Sequence, residues 1–204
     1  MIKAHSKVMV YLIDDDAAVR KALSLLLHTV GFEVRQYADP AEFLRQLSEL
    51  EPGCILLDIR MPKISGIRVQ EKLIEAACDW PLVIMSGHAD INICRQVFKR
   101  GALDFLSKPV DEQDLIDAIQ KGFDQLARDT QAKKIRQETR NLLNKLTPRE
   151  REIMEMISRG LSTKEIAAII NVSPRTVESH RANLAEKIGT TSPAEMARLV
   201  IDSG

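Results

Sequence analysis

Two short apolar runs in this chain end on carboxylates. Val8-Met9-Val10-Tyr11-Leu12-Ile13 stops at Asp14, Asp15 and Asp16, and Cys54-Ile55-Leu56-Leu57 stops at Asp58, with Pro52-Gly53 before it and Met61-Pro62 after it. An unbroken apolar run of strand length reads as a parallel strand buried on both faces. Each acid then sits at the carboxyl end of a strand, the edge where open α/β sheets bind their ligands. Ser86 and Lys108 follow two later apolar runs and fall on the same edge. Two carboxylates about 5 Å apart repel by roughly 3 kcal/mol at an effective dielectric near 20, so the cluster calls for a compensating cation. All-oxygen ligands favour Mg²⁺. An acidic pocket with Mg²⁺, a hydroxyl and a lysine suits phosphoryl transfer, which depends on positioning and charge neutralisation. One aspartate can itself be the nucleophile.

The elements that must position these groups alternate. After the first run, Val19, Ala22, Leu23, Leu26 and Val30 recur at helical spacing, and Gly31 closes the helix. Phe32–Tyr37 reads as strand, Pro40–Leu50 as helix behind Asp39, Ser65–Ala77 as helix and Pro81–Met85 as strand. Asp90–Arg100 reads as helix, Leu103–Leu106 as strand, and helix follows from Asp111. Five strands alternating with five helices give a doubly wound parallel sheet. Asp16 reads as the cap of the first helix and His88 as a loop residue.

At 204 residues, 45% hydrophobic and 28% charged, the chain has room for two small domains. Its apolar stretches are too short to span a bilayer and the N-terminus has no signal-peptide pattern, so the expectation is a cytoplasmic protein. Cys54, Cys78 and Cys94 are odd in number and widely spaced, which argues against a disulfide framework or a zinc site and for small buried hydrophobes. Residues 1–126 carry 15 Lys and Arg against 19 Asp and Glu, whereas residues 127–204 carry 14 against 10. An acidic half joined to a basic half hints at a metal or phosphate site in one and nucleic acid in the other.

The first half resembles the receiver domain of bacterial two-component response regulators, a CheY-like fold. Asp14-Asp15, Asp58, Ser86 and Lys108-Pro109 stand in receiver order, with Met61-Pro62-x-x-x-Gly66 behind Asp58, and the likeness covers residues 7–126. The resemblance implies that Asp58 accepts a phosphoryl group from a sensor histidine kinase. It implies that Asp15, Asp58 and the Arg60 backbone carbonyl bind Mg²⁺ directly and Asp14 through water. Lys108 would pair with a phosphoryl oxygen, aimed by a cis peptide to Pro109. Ser86 would reach for the phosphoryl group and Phe105 would rotate inward as the aromatic switch. The family more often has Thr where this chain has Ser86.

From residue 118 to residue 144 the pattern is polar and helix-compatible, so the last receiver helix is expected to continue into a charged linker. The divisions expected are a receiver at 1–127, a linker at 128–143 and a further domain at 144–204. That last stretch holds four helix starts. Thr147-Pro148-Arg149-Glu150, Ser162-Thr163-Lys164-Glu165 and Ser192-Pro193-Ala194-Glu195 are capping-box patterns, and Ser173-Pro174 opens another helix. A small all-α domain follows, with Ile153, Met156, Ile157, Ile166, Ile169, Val172, Val177, Leu184, Ile188 and Met196 expected in its core. Thr163–Ile170 and Pro174–Lys187, separated by Asn171-Val172-Ser173, have helix-turn-helix spacing, with Asn171 as the left-handed turn residue. Arg175, Glu178, Ser179, Ala182 and Glu186 share the outward face of the second helix.

This half resembles the LuxR/NarL class of DNA-binding domains, and the whole chain looks like the FixJ branch of that family. The motif runs Leu146-Thr147-x-Arg149-Glu150, Gly160-x-Ser162-x-Lys164-Glu165-Ile166-Ala167, then Ser173-x-Arg175-Thr176-Val177-x-x-His180-x-x-Asn183-Leu184-x-x-Lys187-Ile188-Gly189. The resemblance places base readout at Glu178, Ser179 and Ala182, and phosphate contacts at Lys164, Arg175, Thr176, Arg181 and Lys187. For Lys187 an internal ion pair with Glu150 is the competing reading. The helix from Pro193 would form a dimer contact on DNA. Residues 147–204 carry eight positive and eight negative charges, so a monomer is expected to bind DNA weakly and a dimer by avidity. The receiver's dimer face would carry Arg95, Lys99 and Asp104.

The expected function is therefore a transcriptional response regulator, with promoter DNA and a second copy of itself as partners, RNA polymerase as an optional one, and no membrane. It is not expected to be an enzyme beyond its own phosphotransfer and dephosphorylation. An aspartyl-phosphate phosphatase would need a D-x-D pair after the first strand with its nucleophile there, which Asp58 does not satisfy. A DNA-binding protein that keeps its receiver only as a dimer platform is the second alternative.

Overall fold

The computed structural model describes residues 9–87 and 91–202. Val8, His88 and Asp90, named above, lie outside the described residues. The chain divides into two compact units at Arg128 and Asp129.

The first unit is a five-stranded parallel sheet in the order β2-β1-β3-β4-β5. The strands are β1 Met9–Ile13, β2 Glu33–Tyr37, β3 Gly53–Asp58, β4 Leu82–Ser86 and β5 Asp104–Ser107. The helices between them are α1 Ala17–Thr29, α2 Pro40–Gln46, α3 Gly66–Glu75 and α4 Ile91–Lys99, and α5 is Glu112–Leu143. Successive strand residues point to opposite faces, and both faces are covered. Tyr11, Ile13, Ile55, Leu57 and Ile84 pack with Phe43 of α2, Val69 and Leu73 of α3, and Val97 of α4. Val10, Leu12, Cys54, Leu56, Val83 and Met85 pack with Leu23 and Leu27 of α1 and with Leu115, Ile119 and Phe123 of α5. Every residue of β3 and β4 is buried, which is why both read as continuous apolar runs.

Several boundaries differ from the sequence reading. The helix expected over Pro40–Leu50 gives way at Leu47 to a short 3-10 turn. α3 stops at Glu75, because Ala77 adopts the left-handed conformation at φ 52°. Of the three cysteines only Cys54 is fully buried; Cys78 and Cys94 are partly exposed.

The second unit gathers α6 Pro148–Ser158, α7 Thr163–Ile169, α8 Pro174–Ile188 and α9 Pro193–Asp202 around one core. Thr147 and Ser162 form complete capping boxes with Glu150 and Glu165, and Ser173 caps α8. Asn171 sits at φ 53° in the turn between α7 and α8, and Gly189 ends α8 at φ 75°. The expected core is present with one correction: Ile169 is 61% exposed. On α7 the inward residues are Ile166 and Ala167, with Ile170 of the C-cap packed beside them, and Ile169 falls outside this stripe. The charged stretch after residue 128 is the continuation of α5, and its last turns bring buried Thr139 and Leu143 to the second unit.

Candidate phosphoryl-transfer and DNA-contact sites

At the carboxyl edge of the sheet, β1 delivers Asp14 and Asp15, β3 delivers Asp58, β4 ends on Ser86, and the loop after β5 carries Lys108. Neighbouring parallel strands in register bring these ends together: Ile13 pairs with Leu57 and Asp58 with Met85. Each of Asp14, Asp15 and Asp58 offers an oxygen within 4.8 Å of the others. Asp14 and Ser86 are fully buried and Asp58 nearly so, whereas Asp15 is exposed.

Lys108 reaches into this cluster from the cis peptide to Pro109. Its Nζ donates to Asp14 Oδ2 at 2.6 Å and lies 3.2 Å from Asp58 Oδ1. The second distance is that of an ion pair, and among the described residues the buried Asp58 Oδ1 has this charge beside it without a hydrogen bond of good geometry. Burial raises the Asp58 carboxyl above the ordinary value, with the Asp14 charge adding to the rise and Lys108 opposing it. For Lys108 burial works downward, yet the Asp14 hydrogen bond and the charges of Asp58 and Asp14 leave its ammonium raised. Lys108 N also donates to Ser86 O at 2.8 Å, tying the ends of β4 and β5 together.

Gly66 lets the loop behind Asp58 close. Its N–H donates to Ile59 O at 2.9 Å, and a Cβ there would stand 2.5 Å from Asp58 O. Phe105 is half-buried against the core on the α4 side of the sheet. The donor set is hard and all-oxygen, and among the described residues one buried oxygen in it, Asp58 Oδ1, has no hydrogen-bond donor, which fits a small divalent cation. Asp14, Asp15 and Asp58 would hold it.

Of the remaining expected positions, Arg60 follows β3 as an exposed residue, and Arg95 and Lys99 are exposed on α4. Asp104 accepts from Phe105 N and pairs with Lys121 at 3.1 Å. One contributor was not expected from sequence. Arg20, on α1, donates from Nη1 to Asp14 O at 2.7 Å. Its position one helical turn after the cap residue Asp16 was the available signal.

In the second unit Val177, Leu184 and Ile188 of α8 are buried, and Arg175, Thr176, Glu178, Ser179 and Ala182 are exposed. Lys164 is exposed on α7 and Arg181 is half-buried. Ser179 Oγ donates back to Arg175 O at 3.1 Å. Lys187 Nζ donates to both carboxylate oxygens of Glu150, at 2.9 and 2.7 Å, so its ammonium is engaged within the unit.

Comparison with known proteins bears on both units. Residues 10–120 match the response regulator receiver domain, and residues 144–200 match the luxR family of bacterial regulatory proteins. The transcriptional regulatory protein FixJ of Bradyrhizobium diazoefficiens is 37% identical over 98% of this chain and 97% of its own length. The tetrathionate response regulatory protein TtrR of Salmonella typhimurium is 36% identical over 93% and 90%. Among solved structures, the response regulator StyR superposes with a TM-score of 0.84 at 37% identity, covering 96% of this chain and 99% of that one. Full-length FixJ from B. japonicum gives 0.62 at 36% identity, with 98% of each chain covered.

Proposed function

The chain belongs to the response regulators that join a receiver domain to a luxR-family DNA-binding domain, and from that premise we propose that phosphorylation of Asp58 by a sensor histidine kinase drives dimerisation and sequence-specific binding to promoter DNA. The observation that carries the chemistry is the convergence of Asp14, Asp15 and Asp58, each with a carboxylate oxygen within 4.8 Å of the others, on a site where the Lys108 ammonium stands 3.2 Å from Asp58 Oδ1.

In this reading an Asp58 carboxylate oxygen bonds to the phosphorus of the donor as the bond to the kinase imidazole breaks, giving an aspartyl phosphate. Lys108 exchanges its contact with Asp14 for one with a phosphoryl oxygen, and the Ser86 hydroxyl donates to another. Mg²⁺ held by Asp15, Asp58 and the Arg60 carbonyl, with Asp14 through water, would neutralise charge on the phosphoryl oxygens. Phe105 follows Ser86 inward. Arg95, Lys99 and Asp104 then meet a second receiver, and two DNA-binding units gain the avidity that the eight positive and eight negative charges of residues 147–204 do not supply singly. Arg175, Thr176, Lys164 and Arg181 contact phosphates; Glu178, Ser179 and Ala182 read bases. RNA polymerase is an optional further partner, and the setting is cytoplasmic. No helix of the described residues is long and apolar enough to cross a membrane. The protein turns over no separate substrate.

Intact mass after incubation with acetyl phosphate and Mg²⁺ tests this. One phosphoryl adduct is expected on the native chain and none on Asp58→Asn. An adduct that persists in the variant would move the acceptor elsewhere. Phosphorylated chain that still elutes as a monomer on gel filtration would remove dimerisation from the scheme.

A further inference from the structure

Asp14 is held from four directions while fully buried. Its N–H donates to Tyr37 O at 3.2 Å, its Oδ1 accepts from Asp16 N at 2.8 Å, and its Oδ2 accepts from Lys108 Nζ at 2.6 Å. The fourth contact is to its carbonyl, which accepts from Arg20 Nη1 at 2.7 Å. The first bond continues the ladder to β2, the second is a local turn, and the third belongs to the acidic cluster. Arg20 belongs to none of these.

The bond has a structural reason. The pairing of β1 with both neighbours ends at Ile13, so the Asp14 carbonyl lies one residue beyond the ladder on a buried residue. A buried carbonyl without a donor costs about 1–3 kcal/mol. Arg20 supplies the donor and thereby fixes the plane of the Asp14–Asp15 peptide. That same peptide sets the direction in which Asp15, the exposed member of the carboxylate cluster, projects. A guanidinium readily pairs with carboxylates. The hydrogen bond the structure gives it goes to the backbone instead, which leaves the carboxylate oxygens to other partners.

We propose that Arg20 is a positioning residue for the divalent-cation site: through the Asp14 carbonyl it orients the Asp14–Asp15 turn so that the Asp15 and Asp58 oxygens are presented together. The inference rests on the reading of the acidic edge as a cation site. It makes a prediction whose sign separates positioning from simple charge. As a nearby positive charge, Arg20 repels a divalent cation, so its removal would tighten binding. As a positioning group, its removal loosens binding even though the pocket becomes more acidic. Partners that orient metal ligands typically contribute roughly 10–100-fold to affinity.

The experiment is isothermal titration of Mg²⁺ into the full chain, native and with Arg20→Met or Arg20→Lys, well below each protein's unfolding temperature. Methionine keeps the helix-favouring unbranched stem and removes both charge and donor. Lysine keeps the charge and one donor without the guanidinium fork. Expected is a roughly tenfold weaker Mg²⁺ affinity for Arg20→Met, at the low end of that range, with Arg20→Lys between it and the native chain. Equal or tighter binding by Arg20→Met overturns the proposal and leaves the cation site standing. No Mg²⁺ binding by the native chain overturns the cation site and the proposal together. Should Arg20→Met not fold, Arg20→Lys decides: affinity equal to native overturns positioning by the guanidinium, and weakened affinity upholds it.

Discussion

Gly122 of α5 rests against the Sγ of Cys54 in β3, so closely that a Cβ there would stand 2.7 Å from that sulfur and 3.3 Å from Pro81 Cβ. The missing side chain is what lets the last helix of the first unit lie close over the strand that carries Asp58.

Gly122→Ala should therefore destabilise the first unit by about 1–2 kcal/mol, because overpacking outweighs the helix propensity gained. Adding Cys54→Ala removes the atom in the way, so the double variant should be more stable than the sum of the singles by about 1 kcal/mol or more. Trp80, the one tryptophan of the chain, stacks on Tyr11 at 5.3 Å within this unit. Its fluorescence in a urea titration follows the first unit alone. Strict additivity would mean that the helix shifts away rather than clashing.

Ala77 offers the opposite case. Its φ of 52° is a conformation that glycine adopts freely and that costs a side-chain residue about 1–2 kcal/mol. Ala77→Gly should stabilise the unit by about 0.5–1 kcal/mol after the greater unfolded-chain freedom of glycine is subtracted. The same Trp80 titration measures it, and an unchanged or lowered midpoint would show that the turn is not strained.

These two sites mark what the sequence could and could not reveal. Asn171 was legible as a left-handed residue because asparagine is common there and the helices on both sides were bounded by caps. Ala77 carries no such signal, so the helix before it was read two residues too long. The acidic edge was legible since apolar runs ending in acid can hardly be arranged otherwise in a parallel sheet. Arg20 and Gln70 were not, because a polar side chain on a helix reads as solvated. Gln70 is 1% exposed only because its Nε2 finds Val97 O of α4 at 3.0 Å. Val97 lies 27 residues from Gln70 and leaves no local trace, whereas Arg20 lies six residues from Asp14 and only its place one turn after Asp16 pointed to it.

Asp58 should show the cost of its burial. A carboxyl raised in the folded state is a net destabiliser once pH passes its unfolded value, and the cost is complete above the folded value. Asp58→Asn should accordingly raise the urea midpoint of the chelator-treated protein at pH 7, and the gain should vanish as pH falls through the ordinary carboxylate range. Mg²⁺ at about a hundred times its dissociation constant should stabilise the native chain by roughly 2.7 kcal/mol and the variant by much less. A lower midpoint for the metal-free variant would show that the ion pair with Lys108 outweighs desolvation.

The last turns of α5 belong energetically with the second unit, since Leu143 is buried in its core and Leu142 packs against it. A fragment of residues 144–204 should be less stable than one of residues 129–204 by about 2–4 kcal/mol, the scale of burying one to two leucines. Thermal unfolding followed by circular dichroism compares them. Equal stability would make the segment a spacer rather than a part of the folded unit.

Lys187 is committed to Glu150 within the second unit. The Lys187 hydrogen bond is the largest influence holding the Glu150 carboxyl below its ordinary value of 4.5, and the Thr147 N–H adds to it. A depressed carboxyl contributes stability that is fully present above the unfolded value and is lost as pH falls through the lower folded one. The fragment of residues 129–204 should therefore lose stability as pH drops below about 4.5, and Glu150→Gln should flatten that loss. Lys187→Met leaves the buried carboxylate without its cation and should destabilise by about 2 kcal/mol. Because the ammonium is committed to Glu150, the same substitution should leave the salt dependence of DNA affinity nearly unchanged. Lys164→Met, which removes an exposed cation, should reduce the slope of log affinity against log salt by about one. A comparable reduction for Lys187→Met would show that the lysine leaves Glu150 for a phosphate when DNA binds.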